Sequence, residues 1–344
     1  MTEDAFPSPA LLAEPWAPAT APRAADDLRL GLLQDGRFTA HTLRDLPDLL
    51  RPGDLLVLND AATLPAALPG WLRGQPIELR LLGTAPWRAV LLPAGDADPE
   101  DRPPPPPVLP GDVLRLRGLS ATVRAVTAGR LLDLDFGLPD DALWPALYRA
   151  GRPVQYAHVP DPLHLWDVVT PYGGRPWAVE APSAGLGLDG RLLVALRRRG
   201  VALATVTHGA GLSTTGDLAL DAQLPLPERT AVPAETVEAV ARTRAQGGRV
   251  IAVGTSATRA LEGSAARHGA LRAWEGVTDL RLSARTPRRV VDGLLSGLHA
   301  PGSSHHALLQ AFAAPDALAR IPAATRGWLG HEFGDLVLLV APAR

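Results

Sequence analysis

The chain has 344 residues and a formal net charge of −2, which suggests roughly two domains and leaves any nucleic-acid binding to local arginine patches. Hydrophobic residues make up 46% and charged residues 20%, so global disorder is excluded, and no apolar run approaches the ~20 residues needed to span a bilayer. Cysteine and lysine are both absent, which excludes disulfides, cysteine metal sites, thiol nucleophiles, Schiff-base chemistry and the lysine of a phosphate-binding P-loop.

Glu3 and Asp4 stand where a signal peptide would carry basic residues, so a cytoplasmic location is expected. Five prolines in residues 7–22 predict an extended strap. Leu28–Phe38 reads as a hairpin turning at Asp35-Gly36, and Leu43–Leu50 as a short helix. Arg51–Asp60 is a Pro-Gly turn followed by a buried strand that ends on two polar residues. Residues 61–150 carry short strand signals at Pro76–Leu82, Trp87–Leu92, Asp112–Leu116, Ala121–Val126 and Arg130–Phe136, which predict a small barrel or open sandwich. After Gly151 the pattern alternates. Helices are predicted at Arg191–Arg199, Ala234–Ala245, Ala257–Ser264 and Ser304–Ala314, and strands at Ala202–Val206, Arg249–Val253 and Leu336–Val340. That alternation predicts an α/β domain.

Several segments have the residue types of a site. In Arg249–Glu262 a strand meets Gly254, with Thr255 or Ser256 as candidate caps, and helix-start N–H groups there favour an anion or polar ligand edge. Ala204–Gly216 brings Thr207 and His208 to a loop containing Gly209 and Gly211, where backbone can approach a ligand and histidine can move a proton. Glu180–Leu188 puts a carboxylate before a sharp turn. His299 precedes a Pro-Gly turn, and Ser303 or Ser304 would cap a helix with His305 and His306 in its first turn. Those two adjacent histidines point about 100° apart and do not readily share a metal. His158, Asp161 and His164 lie on an extended, proline-containing segment, so no metal is expected there either. Arginines cluster at Arg197–Arg199 and at Arg281, Arg285, Arg288 and Arg289.

Taken in order, these segments resemble the S-adenosylmethionine:tRNA ribosyltransferase-isomerase family of queuosine biosynthesis. LRPGDLLVLND (Leu50–Asp60) has the form of a family segment, EAPSAGL resembles AAPTAGLHF, and VTHGAGLS resembles VTLHVGAGTF. AVGTSATRALE is close to AVGTTxxRxLE, VVDGLLSGLHAP is similar to the TNFHLP segment, and EFGDLVLLV to the terminal FGDAMLI. The resemblance implies an α/β main domain (residues 1–60 and 151–344) with an inserted small β-barrel domain (61–150). It implies transfer and rearrangement of the ribosyl moiety of S-adenosylmethionine onto a 7-aminomethyl-7-deazaguanine base in tRNA, releasing adenine and methionine without a metal.

Such a site needs a base for a ribose carbon beside the sulfonium, a partner for the cation, and a donor for departing adenine. The expected catalytic residues are Glu180, His208, Glu228 and His299. The expected substrate-binding residues are Asn59, Asp60, Ser183, Ala184, Gly185, Thr207, Gly209, Gly211, Gly254, Thr255, Ser256, Arg259 and Asp292. S-adenosylmethionine is the expected co-substrate, tRNA the expected partner of the arginine-rich faces, and a monomer the expected state. The chain departs from the family pattern at several polar positions. Ala61-Ala62 replace Thr-Arg, Ala67 replaces an arginine, and Gly187 and Leu226 replace histidines. Thr207 stands at another histidine position, with His208 one residue later, and Ser296-Gly297-Leu298 replace Thr-Asn-Phe. Pro153–His164 replaces a PLPPYI stretch. Two further readings stay open: a related enzyme with a small-molecule acceptor, and a non-catalytic ligand-binding paralogue.

Overall fold

The computed structural model describes residues 15–83, 86–95, 97–127 and 130–342. The Met1–Ala10 segment, and with it Pro7 and Pro9 of the expected strap, lies outside them. The rest of the strap pairs Ala17–Pro18 with Leu329–Gly330, and Trp16 Nε1 donates to Thr325 Oγ1 at 2.8 Å.

Nine strands form the main sheet: β1 Arg29–Gln34, β2 Arg37–Thr42, β3 Leu55–Asn59, β4 Ala202–His208, β5 Glu228–Val232, β6 Val250–Val253, β7 Trp274–Thr278, β8 Gly293–Gly297 and β9 Leu336–Val340. Their order is β7-β5-β4-β3-β6-β8-β9-β1-β2. The central strands β4, β3, β6 and β8 are parallel. Strand β3 (LLVLN) is buried throughout, as expected of a parallel strand covered on both faces. The β1–β2 hairpin turns at Asp35 and Gly36, both with positive φ (51° and 72°), which is the turn whose twist suits paired strands.

The longer helices are α1 Asp140–Ala150, α2 Gly190–Arg198, α3 Ala234–Ala245, α4 Gly254–His268 and α5 Ser304–Leu309. Helix α4 starts earlier than predicted and has no side-chain cap, so Thr255 and Ser256 lie within its first turn. Helix α5 is capped by Ser303, whose side chain accepts from His306 N, and it ends at Leu309 rather than continuing to Ala314.

Between β3 and β4 the chain builds a closed antiparallel barrel. The strands, in order around it, are Leu119–Thr127, Leu131–Asp135, Arg88–Pro93, Gln75–Gly83, Ala67–Leu72 and Val113–Leu116. Five match the predicted signals. The sixth, ALPGWL, is hidden by Pro69 and Gly70, yet a side chain at Gly70 would sit 2.6 Å from the Arg115 carbonyl. Close strand approach therefore requires the residue that weakens the strand signal.

A buried ionic knot sits in this region. Glu78 meets Arg80 (2.9 Å) and Arg102 (3.3 Å) through one oxygen and Arg152 (2.9 Å) through the other. Burial alone would raise the Glu78 pKa, but Arg80, Arg152 and Arg102 outweigh it and hold the carboxyl below its ordinary value. Removing the one anion leaves buried guanidinium groups uncompensated, a loss on the order of 3–5 kcal/mol. Glu78→Gln is accordingly expected to lower the melting temperature sharply at pH 7, measured by calorimetry. An unchanged melting temperature would show that the knot does not hold the barrel.

Candidate active site

A cavity of about 300 Å³ opens beyond the C-terminal ends of the parallel strands. That is where open α/β sheets bind ligands, and the volume is at the lower end of the roughly 300–1,000 Å³ usual for such sites. Asn59 ends β3, His208 ends β4, Gly254 follows β6, and Ser296 to Ala300 continue from β8; all line the cavity. The far walls come from Glu180 to Gly185 and from Gly211 to Ser213. The glycine turns of the sequence thus converge on one space.

Glu228 organises the polar wall. One of its oxygens accepts from Gly211 N at 2.7 Å. The other meets His208 Nε2 at 2.7 Å and Arg259. Arg259 also donates through Nε to the Leu280 carbonyl at 3.0 Å. Its pKa falls to about 10, chiefly through burial, so it remains a cation at neutral pH. Burial, and then the Arg259 charge, push the His208 pKa well below 6.5. With Glu228 as a carboxylate, the 2.7 Å contact fits a neutral His208 that carries its proton on Nε2. Its buried Nδ1 has no hydrogen-bond partner among the described residues and stands as a free acceptor.

Asn59 fixes the other side of His208. Its Nδ2 donates to the His208 carbonyl (2.9 Å) and to Ser256 Oγ (3.1 Å), while its Oδ1 accepts from His208 N (2.8 Å) and Ala61 N (3.1 Å). Both donors and both acceptor sites are used. Asn59 therefore positions His208 at the cavity wall.

Glu180 stands across the cavity. Ser213 N and Oγ donate to one of its oxygens at 2.8 and 3.0 Å. Burial pushes its pKa up to about 7, with Glu332 adding to the rise. His299 bonds Ser296 Oγ through Nε2 at 3.0 Å and stacks on His305 with ring centroids 4.8 Å apart. Burial, then the neighbouring histidines, push His299 well below 6.5, and burial lowers His305. His306 turns away, into a smaller cleft with Trp16 and Pro301, as the helical spacing predicts.

Ser183, Ala184, Gly185, Gly211, Gly254, Thr255, Ser256 and Arg259 line the cavity. Gly254 has φ +82°, a conformation that other residues resist, and it turns β6 into α4 with that helix's first N–H groups at the cavity. Four expected residues are not among those lining the cavity. Thr207 Oγ1 donates to Asp60 Oδ1 at 2.6 Å, so these two satisfy each other. Gly209 packs on the Trp177 backbone, where a side chain would approach its carbonyl to 2.7 Å. Asp292 sits at the opposite end of β8 and accepts from Val250 N at 2.9 Å. Tyr156, Tyr172, Ser213, His331 and Glu332 line the cavity although the motif comparison did not single them out for it. Tyr156 lies in the divergent Pro153–His164 stretch, whereas Glu332 opens the terminal EFGD block and Ser213 closes VTHGAGLS.

Fold and site together define an α/β enzyme with a barrel insert and one acid–base cleft at its strand ends. The chain belongs to the queuosine biosynthesis protein family, whose model matches residues 11–339. It is 38% identical over 307 residues to an S-adenosylmethionine:tRNA ribosyltransferase-isomerase of Acidithiobacillus ferrooxidans, covering 86% of each chain. It is 33% identical over 351 residues to the protein of that name from Acidiphilium cryptum, covering 97% of this chain and 96% of the relative. The crystal structure of an S-adenosylmethionine tRNA ribosyltransferase from Thermotoga maritima is similar, with a TM-score of 0.52 and 27% identity. That match covers 94% of this chain and 96% of the other.

The Glu180 carboxyl gives a pH test. Its pKa rises from 4.5 to about 7 in the folded chain, so the folded state binds more protons than the unfolded state between those values. Stability should therefore fall as pH rises through this window. Glu180→Gln is expected to raise the melting temperature by a few degrees relative to wild type at pH 8 and to leave it unchanged at pH 4. An equal difference at both pH values would contradict a proton-retaining Glu180.

Proposed function

We propose that the chain is an S-adenosylmethionine:tRNA ribosyltransferase-isomerase. In this reading it passes the ribosyl moiety of S-adenosylmethionine to a 7-aminomethyl-7-deazaguanine base in tRNA, rearranges it, and releases adenine and methionine. The observation that carries the reading is the convergence of His208, Glu228, Arg259 and Glu180 with the glycine turns on one cavity.

The reaction must remove a proton from a ribose carbon made acidic by the sulfonium. In this reading His208 takes the proton at Nδ1, which is shielded and has no hydrogen-bond partner among the described residues, so substrate entry must uncover it, while Glu228 holds the Nε2 proton and faces the imidazolium that forms. Arg259 balances the Glu228 charge before the reaction. Glu180, with a pKa of about 7, retains a proton in part of the population and serves as the donor for departing adenine. Two groups whose surroundings push their pKa values apart divide acid and base roles between them. The α4 N-terminus at Gly254–Ser256 offers N–H groups to the carboxylate of the methionine moiety.

The departures from the family pattern are consistent with this assignment. Consecutive strand residues face opposite sides. Thr207, at the family's histidine position, bonds Asp60, whereas His208 reaches Glu228 inside the cavity. For tRNA, the cluster beginning at Arg281 is the better placed, because Arg281 lines the cavity. Arg197–Arg199 lie just before the start of β4, at the opposite end of the strands.

The test is incubation with S-adenosylmethionine, with and without precursor tRNA, followed by chromatography. Adenine and methionine should appear only when tRNA is present, and His208→Ala should reduce turnover by more than ~100-fold. Adenine without tRNA would indicate a small-molecule acceptor. Ligand binding with neither product would indicate a binding paralogue.

A further inference from the structure

A second cluster of titratable groups lies at the cavity wall, apart from the His208 group. One ligating atom from each of His158, His331 and Glu332 lies within 4.8 Å of the other two. His158 Nε2 and Glu332 Oε2 are 3.2 Å apart. Both atoms are shielded from solvent, and neither has a hydrogen-bond partner among the described residues. The two atoms form an ion pair only when His158 is protonated; with a neutral ring the shielded nitrogen and oxygen need another partner, which a cation bound between them would supply. A four-coordinate divalent ion with bonds of roughly 2.0–2.2 Å holds neighbouring donors about 3.4 Å apart, close to the spacing already present. His331 is exposed, with its ring centroid 4.7 Å from that of His158, so ring rotation can close the remaining gap.

Packing around the cluster fixes both segments. Tyr156 stacks on His158 at 5.7 Å and meets Phe333 edge-on at 6.4 Å. Buried Asp335 accepts from Leu329 N and Arg29 N at 2.9 Å each, and Gly334 N donates to the His331 carbonyl at 3.0 Å. These bonds hold the turn that presents His331, which has φ +64°.

We propose that His158, His331 and Glu332 bind one divalent transition-metal ion of the zinc type. Two imidazoles and one carboxylate are the protein ligands of open zinc sites, which keep a further position for water or another ligand. His331 and Glu332 line the cavity, so the ion would sit in its wall and tie the divergent Pro153–His164 stretch to the last turn of the chain. Asp161 and His164, the partners that spacing suggested for His158, are placed otherwise. Gln155 Nε2 donates to the Asp161 carbonyl, and His164 stacks on Trp166 at 4.3 Å. The ion would oppose the Glu332 charge that helps raise the Glu180 pKa, which links this site to the acid–base groups. The site stands on its own geometry, whatever reaction the cavity performs.

The test uses the full chain after chelation, titrated with Co²⁺ and followed by visible absorption, then by calorimetry with Zn²⁺. One Co²⁺ should bind per chain, with the bands of a four- or five-coordinate nitrogen–oxygen site, and Zn²⁺ should displace it. His158→Gln and Glu332→Gln should each weaken Zn²⁺ binding by at least ~10-fold. His305→Gln should not, which separates this cluster from the His299–His305 stack. Circular dichroism checks each variant; if one fails to fold, the other carries the comparison. No stoichiometric binding to wild type, or binding that survives the folded variants or is lost in His305→Gln, overturns the proposal.

Discussion

One buried carboxylate holds the candidate site together. Glu228 joins two separate pieces of chain: the end of β4 and the loop that follows it, through His208 and Gly211 N, and α4 through Arg259. A carboxylate in so dry a place is tolerated only with charged and hydrogen-bonding partners around it. Those partners are the groups that give the cavity its chemistry. The Arg259 cation faces Glu228, Glu228 meets His208 Nε2, and a proton held there leaves Nδ1 as an acceptor. Asn59 completes the arrangement by clamping the His208 backbone to β3 and to Ser256.

The barrel meets this centre through a short joint. Ser213 bonds Glu180 on the cavity side, while its neighbour Thr214 Oγ1 donates to Glu100 Oε2 at 3.0 Å on the barrel side. Gly216 then passes so close to the Pro99 carbonyl that a side chain would sit 2.2 Å from it. Loop 213–216 therefore runs between the insert and the group proposed to protonate adenine. An acceptor that moved the barrel would change the surroundings of Glu180 along this path.

Much of the scaffold was legible in the residues. Continuous apolar runs such as LLVLN and LVLLV read directly as buried strands, and Asp35-Gly36 as a tight hairpin. Several of the elements missed, though not Glu228–Val232, had their patterns broken by residues that tertiary packing demands. Pro69 and Gly70 interrupt a barrel strand, Pro145 lies inside α1, and glycines occupy both ends of β8. At the site, the motif glycines and the Glu228, Arg259 and His208 positions were readable, because turns and short motifs are local. The hydrogen bonding of Asn59, Thr207 and Asp60 was not. Polar residues at strand ends look alike until the partner strand is in place, and only then do hydrogen bonds show which serve the backbone and which face the ligand. The His158–Glu332 pairing joins positions far apart in the chain, and no spacing rule reaches that far.

The direct measurement of the central claim is the ¹⁵N NMR spectrum of the His208 imidazole, assigned by difference from a His208→Asn variant and followed through neutral pH. The account predicts a neutral ring with the proton on Nε2, no titration near pH 6.5, and a change at Nδ1 when S-adenosylmethionine binds. A ring that titrates normally, or one protonated on Nδ1 at pH 7, would contradict it.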